Sequence, residues 1–473
     1  MMKAILARVT GPPEVLEVVE VAEPQLEDNE VLIRVAAAGM NEPDVTERQR
    51  SLPPQASLSI LGLECSGTIE KVGKNVERWK IGQEVCAVLR GGGYGEKVAV
   101  PEGHVFRIPK NISLEEAASF PQVACSVWVS LFTRDKLNSE YWLPLVKDGS
   151  RTSLSVEKIG LMTRMFFRGF CYGITKMRKK RKLKPRDHSG NRRPQFAWEI
   201  FLLPQGAIFG YSAVFVVEKK LYPWFPGSRS RLIAGESILV HGGSGGIGSF
   251  VVQLAKALRV NVIVTVSSCN KFEFCRRLGA NACISFNYKD KKDGFSERVR
   301  EETNNRGVDV VLSNLPVQYI GPNNACVKVG GTVIQIGLCW MLPYDTKNQL
   351  PQPKKVGSVL QENNNVGVAG FRYRPIEEKT RIVNEVERNV WPLIERQEVK
   401  PVVQHRFPFS RASDAHRLME SGMHLGKILL IPDDRFDNNW LLALGLPNLP
   451  RRKRFAEEKK DQKQGASCTG ERC

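Results

Sequence analysis

The 473 residues, 42% hydrophobic and 25% charged, fall in the ordinary globular range with room for about two or three domains, which excludes a wholly disordered or collagen-like chain. The formal net charge of +19 is not spread evenly: 20 basic and 7 acidic residues lie between Thr133 and Arg229, so about +13 of it is local. The 11 cysteines are scattered without a Cys-x-x-Cys pair, which favours reduced thiols and an intracellular, cytoplasmic setting over a secreted disulfide scaffold.

At the N-terminus, Met1 to Arg8 lacks the apolar core and small-residue cleavage site of an export signal and reads as a first strand. From Lys3 to Pro109, short alternating runs such as Val31-Leu32-Ile33-Arg34-Val35 and Glu84-Val85-Cys86-Ala87-Val88 are punctuated by Gly, Pro and Asn, the pattern of a compact barrel-like β domain. A helix is expected over Ala124 to Phe132. The following segment, Thr133 to Arg229, carries basic clusters including Met177 to Lys184 and sustains no strand or helix period. The apolar stretch Ile200 to Val217 is interrupted by Pro204 and Gln205 and falls short of the about 20 mainly apolar residues of a spanning helix.

Beyond it the texture changes. Ile238-Leu239-Val240 reads as a buried strand, Ser249 to Leu258 as a helix, Val262 to Val266 as a strand, Lys271 to Leu278 as a helix, and Val308 to Leu312 and Gly331 to Gly337 as further strands. Strand and helix in alternation imply a parallel, doubly wound sheet. The first strand and helix are joined by Gly243-Ser244-Gly245-Gly246-Ile247-Gly248, whose glycines bring backbone N–H groups and a helix N-terminus close to a pyrophosphate, so this turn is expected to bind a dinucleotide. An acidic residue at the end of the second strand would select NAD. Val266-Ser267-Ser268-Cys269-Asn270-Lys271 has none, and Ser268 and Lys271 offer a hydroxyl and an ammonium to the 2′-phosphate of NADPH. Tyr288 is a candidate neighbour of the adenine. After Pro432 the chain turns basic and charge-rich, in the manner of a disordered tail.

The strings Leu61 to Gly67, Asn111 to Ala118 and Gly426-Lys427-Ile428-Leu429-Leu430, with the β domain first and the dinucleotide domain second, resemble the zinc-free quinone oxidoreductase (zeta-crystallin-like) branch of the medium-chain dehydrogenase/reductase family. The resemblance covers about residues 1 to 132 and 231 to 432. It implies a GroES-like barrel at 1–123, a Rossmann NADP-binding domain at 124–132 and 231–375, a return to the barrel at 376–432, a basic insertion at 133–230 and a tail at 433–473. Zinc-dependent relatives carry Cys and His where this chain has Asn41 and Leu63, side chains that cannot supply a thiolate and an imidazole to zinc. The resemblance also implies that Asn41 and Asp44 line the pocket beside the nicotinamide, Asn41 donating to a substrate carbonyl and Asp44 holding a water or the loop, with turn stabilisation as the alternative. Gly337 is placed near the cofactor, and Arg372, with Arg374, at its phosphates.

The expected activity is NADPH-dependent reduction of quinones or related conjugated carbonyls by hydride transfer, with enoyl thioesters or alkenals as near alternatives and a homo-oligomeric assembly. Three departures from the family pattern stand against full activity: no aromatic in Arg48 to Pro54, Ser313-Asn314-Leu315-Pro316 after the third strand, and Leu338 to Met341 in place of the usual glycines. A different class of function is an impaired NADPH-binding protein that associates with RNA or an anionic membrane through the basic insertion. For the insertion itself, a selected accessory segment competes with non-coding sequence read through into protein, and its abrupt borders favour the second.

Overall fold

The computed structural model describes residues 1–49, 60–132, 232–286, 294–336, 366–372 and 374–436. The basic insertion, the C-terminal tail, Tyr288, Gly337 and Leu338 to Met341 lie outside the described residues.

The N-terminal part is a β structure. Strands β1 (Met2–Ala7) and β2 (Leu16–Val21) form a hairpin-like pair. Strands β3 (Glu30–Gly39), β4 (Glu64–Val72), β5 (Glu84–Val88), β6 (Lys97–Pro101) and β7 (Val105–Arg107) build most of the first large sheet. Helix α1 (Glu42–Gln49) follows β3 directly. Alternation along β3 sends Val31, Ile33 and Val35 into one buried cluster with Val85 and Val98, as a strand period of two requires.

Helix α2 (Pro121–Leu131) begins with proline at its first turn, where the missing N–H costs nothing, and leads to the second sheet. Its strands are β8 (Ser237–His241), β9 (Asn261–Val266), β10 (Ala282–Ser285), β11 (Val308–Ser313), β12 (Val327–Ile336) and β13 (Val366–Ala369). They lie in the order β10-β9-β8-β11-β12-β13, every neighbouring pair parallel. Helices α3 (Gly246–Ala257), α4 (Cys269–Leu278), α5 (Phe295–Glu302) and α6 (Ile320–Cys326) connect them. Both faces of the sheet are covered: Ile238, Val240, Val262 and Val264 pack with α2 and α3, while Leu239, Ile263 and Val311 pack with Phe295 and Val299 of α5. This is why these strands read as continuous apolar runs. The order reverses on either side of β8, so the crevice above β8 is the topological switch point where such sheets bind ligands.

The chain then returns. Helices α7 (Ile376–Asn389) and α8 (Trp391–Glu395) pack against α2, and β14 (Val403–Pro408), α9 (Ala412–Ser421) and β15 (Lys427–Ile431) complete the first sheet. Its order is β14-β15-β3-β4-β5-β7, with β6 also on β3. The architecture is the expected GroES-like barrel plus Rossmann-like parallel sheet. At the insertion point, the Leu232 N–H donates to the Leu131 carbonyl at 3.1 Å, so the segments flanking residues 133–231 are hydrogen-bonded to each other.

Candidate active site

The glycine turn leaves β8 through Gly242, whose φ of +70° calls for glycine, and enters α3 with Gly245 as N-cap. A Cβ on Gly243 would lie 2.5 Å from Val264 Cβ, and one on Gly248 would collide with Gly242 O, so these two glycines allow helix and strands to close on each other. Gly245 differs: a Cβ there meets only Gly242 O, at 3.5 Å, which leaves its backbone open to a ligand. Orphan amides at the head of α3 and that open face fit a pyrophosphate.

Beneath the turn the strand ends are tied by buried polar groups. His241 bridges Thr265 Oγ1 at 2.9 Å and Asn323 Oδ1 at 2.8 Å, and burial pushes its imidazole down to about 4, so it is neutral. Asn323 Nδ2 donates to Ser313 Oγ at 2.9 Å, which also accepts the Leu315 N–H at 3.2 Å. The Leu315 carbonyl accepts from Gln335 Nε2 at 2.9 Å. The divergent Ser313 to Leu315 loop is therefore a closed hydrogen-bonded unit.

At the end of β9, Ser267, Cys269 and Asn270 are exposed, and the Ser268 hydroxyl does not cap α4. Lys271 is buried rather than solvated. Its Nζ donates to Ser267 Oγ at 3.2 Å and to the Gly422 carbonyl at 2.5 Å, and burial lowers its pKa. Gly422 has φ +67° just past α9, so Lys271 joins the cofactor half to the return segment. Arg372 pairs with Glu47 on α1, and Arg374 with Glu378 and the Gly370 carbonyl. Both arginines thus have protein partners, and Arg374 Nη2 is buried without a hydrogen-bond partner.

Asn41 sits between β3 and α1, and its amide is fully engaged. Its Nδ2 donates to Gly39 O at 3.1 Å and Glu64 Oε1 at 2.9 Å, and its Oδ1 accepts from Lys427 Nζ at 2.8 Å. Both N–H donors are spent inside the protein, an arrangement that fits the turn-stabilising alternative better than donation to a substrate carbonyl. Lys427 Nζ also donates to Met40 O at 2.7 Å and pairs with Glu64 Oε1 at 2.6 Å. Glu64 is fully buried, and its second oxygen accepts the Gln122 N–H of α2 at 2.8 Å.

Asp44 is also fully buried. It accepts the N–H groups of Asn41 at 2.8 Å and Gly62 at 3.1 Å, and the Tyr94 hydroxyl at 3.3 Å. These bonds tie it to the loops at Asn41 and Gly62. Burial raises its carboxyl to about 7, and burial together with the nearby Glu420 and Asp44 charges does the same to Glu42. Sequence reasoning assigned no role to Glu64, Lys427, Tyr94 or His241. A charged residue inside an apolar strand, as in Leu63-Glu64-Cys65 and Gly426-Lys427-Ile428, was the available clue, because a buried charge must find a partner.

Two family models match the chain: the alcohol dehydrogenase GroES-like domain at residues 27–110 and the zinc-binding dehydrogenase domain at residues 246–382. The two matches come in the order expected from the resemblance to medium-chain dehydrogenases, with the GroES-like domain first and the dehydrogenase domain second. The synaptic vesicle membrane protein VAT-1 homolog of Danio rerio is 23% identical, over 90% of this chain and 69% of the relative. The reducing polyketide synthase FUB1 of Gibberella fujikuroi is 24% identical over 89% of this chain, which spans only 13% of that synthase. The solved Escherichia coli quinone oxidoreductase complexed with NADPH superimposes with a TM-score of 0.60 at 20% identity, covering 91% of this chain and all of that one.

The positions at which zinc-dependent members of the family hold their catalytic metal carry Asn41 and the buried Leu63. The acceptors a cation would need there, Asn41 Oδ1 and Glu64 Oε1, are already held by the Lys427 ammonium. Among the described residues no helix is long and apolar enough to cross a membrane.

Proposed function

We propose that this chain is an NADPH-dependent reductase of quinones or related conjugated carbonyls that works without zinc. The observation that carries the proposal is the junction of the glycine turn with Asn41. The chain entering β15 reaches both, with the Gly426 N–H on Ser244 O at 2.8 Å and Lys427 on Asn41, which supports a reading in which a dinucleotide bound on the turn would reach the Asn41 side. A nicotinamide bound there would supply a hydride, which with one proton from water would take a quinone to its hydroquinone and leave NADP⁺. Such acceptors are already electrophilic, so the protein's part is to bind, orient and exclude water.

The preference for NADPH over NADH rests on the acid-free end of β9 and its exposed polar groups at the head of α4, where a 2′-phosphate meets no carboxylate. Anaerobic loss of NADPH absorbance with a panel of quinones and enones tests the activity. Binding of NADPH without turnover of any acceptor sinks it. Gly245→Ala, which has room to fold, is expected to weaken NADPH binding about tenfold or more while leaving the unfolding midpoint in place.

A further inference from the structure

Among the described residues, Lys427 links the glycine turn, the Asn41 side chain and the buried Glu64 carboxylate. Gly426 adopts φ +64°, forms a parallel bridge with Gly245 and donates its N–H to Ser244 O at 2.8 Å. The lysine stem then crosses Gly246, where a Cβ would stand 2.7 Å from Lys427 Cδ. That glycine is needed for the stem to pass as well as for the turn. At its far end Nζ spends its three protons on Met40 O, Asn41 Oδ1 and Glu64 Oε1, at 2.7, 2.8 and 2.6 Å. Lys427 is 6% exposed and Glu64 0%, so neither charge can turn to water instead. With Glu64 Oε1 taking the Asn41 amide N–H and Lys427 donating to its oxygen, the orientation of that amide is fixed from both ends.

We propose that Lys427 is a positioning residue for hydride transfer: a short, saturated strut that sets the separation between the glycine turn and the Asn41 wall, and so between nicotinamide and acceptor. This rests on the reductase reading above. Two independent parts of the geometry support it. The stem contact at Gly246 fixes Lys427 against the cofactor side, and the three-acceptor cage fixes it against the barrel side.

The test is the paired variant Lys427→Met with Glu64→Gln, in which the stem still covers Gly246 and no buried charge is left without a partner. NADPH affinity, the fluorescence of bound NADPH, thermal unfolding and single-turnover hydride transfer to a quinone are measured on the full chain. The expected result is near-unchanged NADPH affinity and unfolding midpoint, altered nicotinamide emission, and hydride transfer slowed about 10- to 100-fold. Unchanged emission with an unchanged rate overturns the proposal. So does a loss of affinity that tracks a loss of thermal stability, since that describes a merely structural pair. If the wild-type chain reduces no acceptor, the reductase reading fails by itself, and emission and affinity still decide whether Lys427 positions the nicotinamide.

Discussion

Asn41 is gripped by two buried polar clusters that differ in how well they are satisfied. On its side chain, Lys427 and Glu64 form a closed set in which every ammonium proton and both carboxylate oxygens have partners. On its backbone N–H sits Asp44, part of a looser group with Tyr94, His416 and Arg48. There, Arg48 Nε and Nη1 and His416 Nδ1 have no hydrogen-bond partner, and Asp44 and Glu42 are pushed to about 7. The first cluster is built to hold one geometry, and the second to change with protonation.

Removing one partner from each cluster should separate them most sharply. Lys427→Met alone leaves a fully buried carboxylate uncompensated and is expected to cost about 3–5 kcal/mol in denaturant unfolding. Arg48→Met breaks an ion pair too, but its partner Glu420 keeps 26% side-chain exposure and can hydrate, so the expected loss is about 1 kcal/mol or less. Equal losses from the two variants would erase the distinction.

A pH titration sharpens it further. Burial raises Asp44 from 3.8 to about 7, so between those values the folded chain keeps a proton that the unfolded chain has released. Stability should therefore fall as pH rises from about 4 to about 7. Glu42 acts in the same direction. Asp44→Asn should flatten part of this slope and Glu42→Gln combined with it should flatten more, measured as unfolding midpoint against pH. A slope that persists undiminished in the double variant would assign it elsewhere.

The smallest effect is expected from removing the insertion. Replacing Thr133 to Arg231 by a short flexible linker should leave the unfolding midpoint and NADPH affinity essentially unchanged, because Leu131 and Leu232 already meet through a backbone hydrogen bond. A collapsed midpoint would show that the insertion supports the fold. Detection of peptides from the Lys176 to Lys184 region in protein from its natural source would remove the read-through explanation.

The fold was largely legible because its signals are local. Parallel strands buried on both faces leave continuous apolar runs at Ile238 to Val240 and Val262 to Val266, and the glycine turn is contiguous between a strand and a helix. The site was legible only in part. Asn41 and Lys427 are 386 residues apart, and no spacing rule links them; Lys271 sits where a solvated phosphate ligand belongs by sequence, yet a carbonyl from beyond α9 takes its proton. Arg372 likewise pairs with Glu47 of α1, 325 residues away in sequence, a partner that no spacing rule could have supplied.

The bond from Gly426 to Ser244 also sets an order of events during synthesis. The glycine turn is complete in covalent terms once Gly248 has left the ribosome, yet the strand that braces it, at Lys427–Ile431, is made only much later. A nascent chain that has finished its parallel sheet still presents a turn without the strand that braces it, and the nucleotide meets its full cradle only when translation has passed Lys427 and β15 has closed into the barrel.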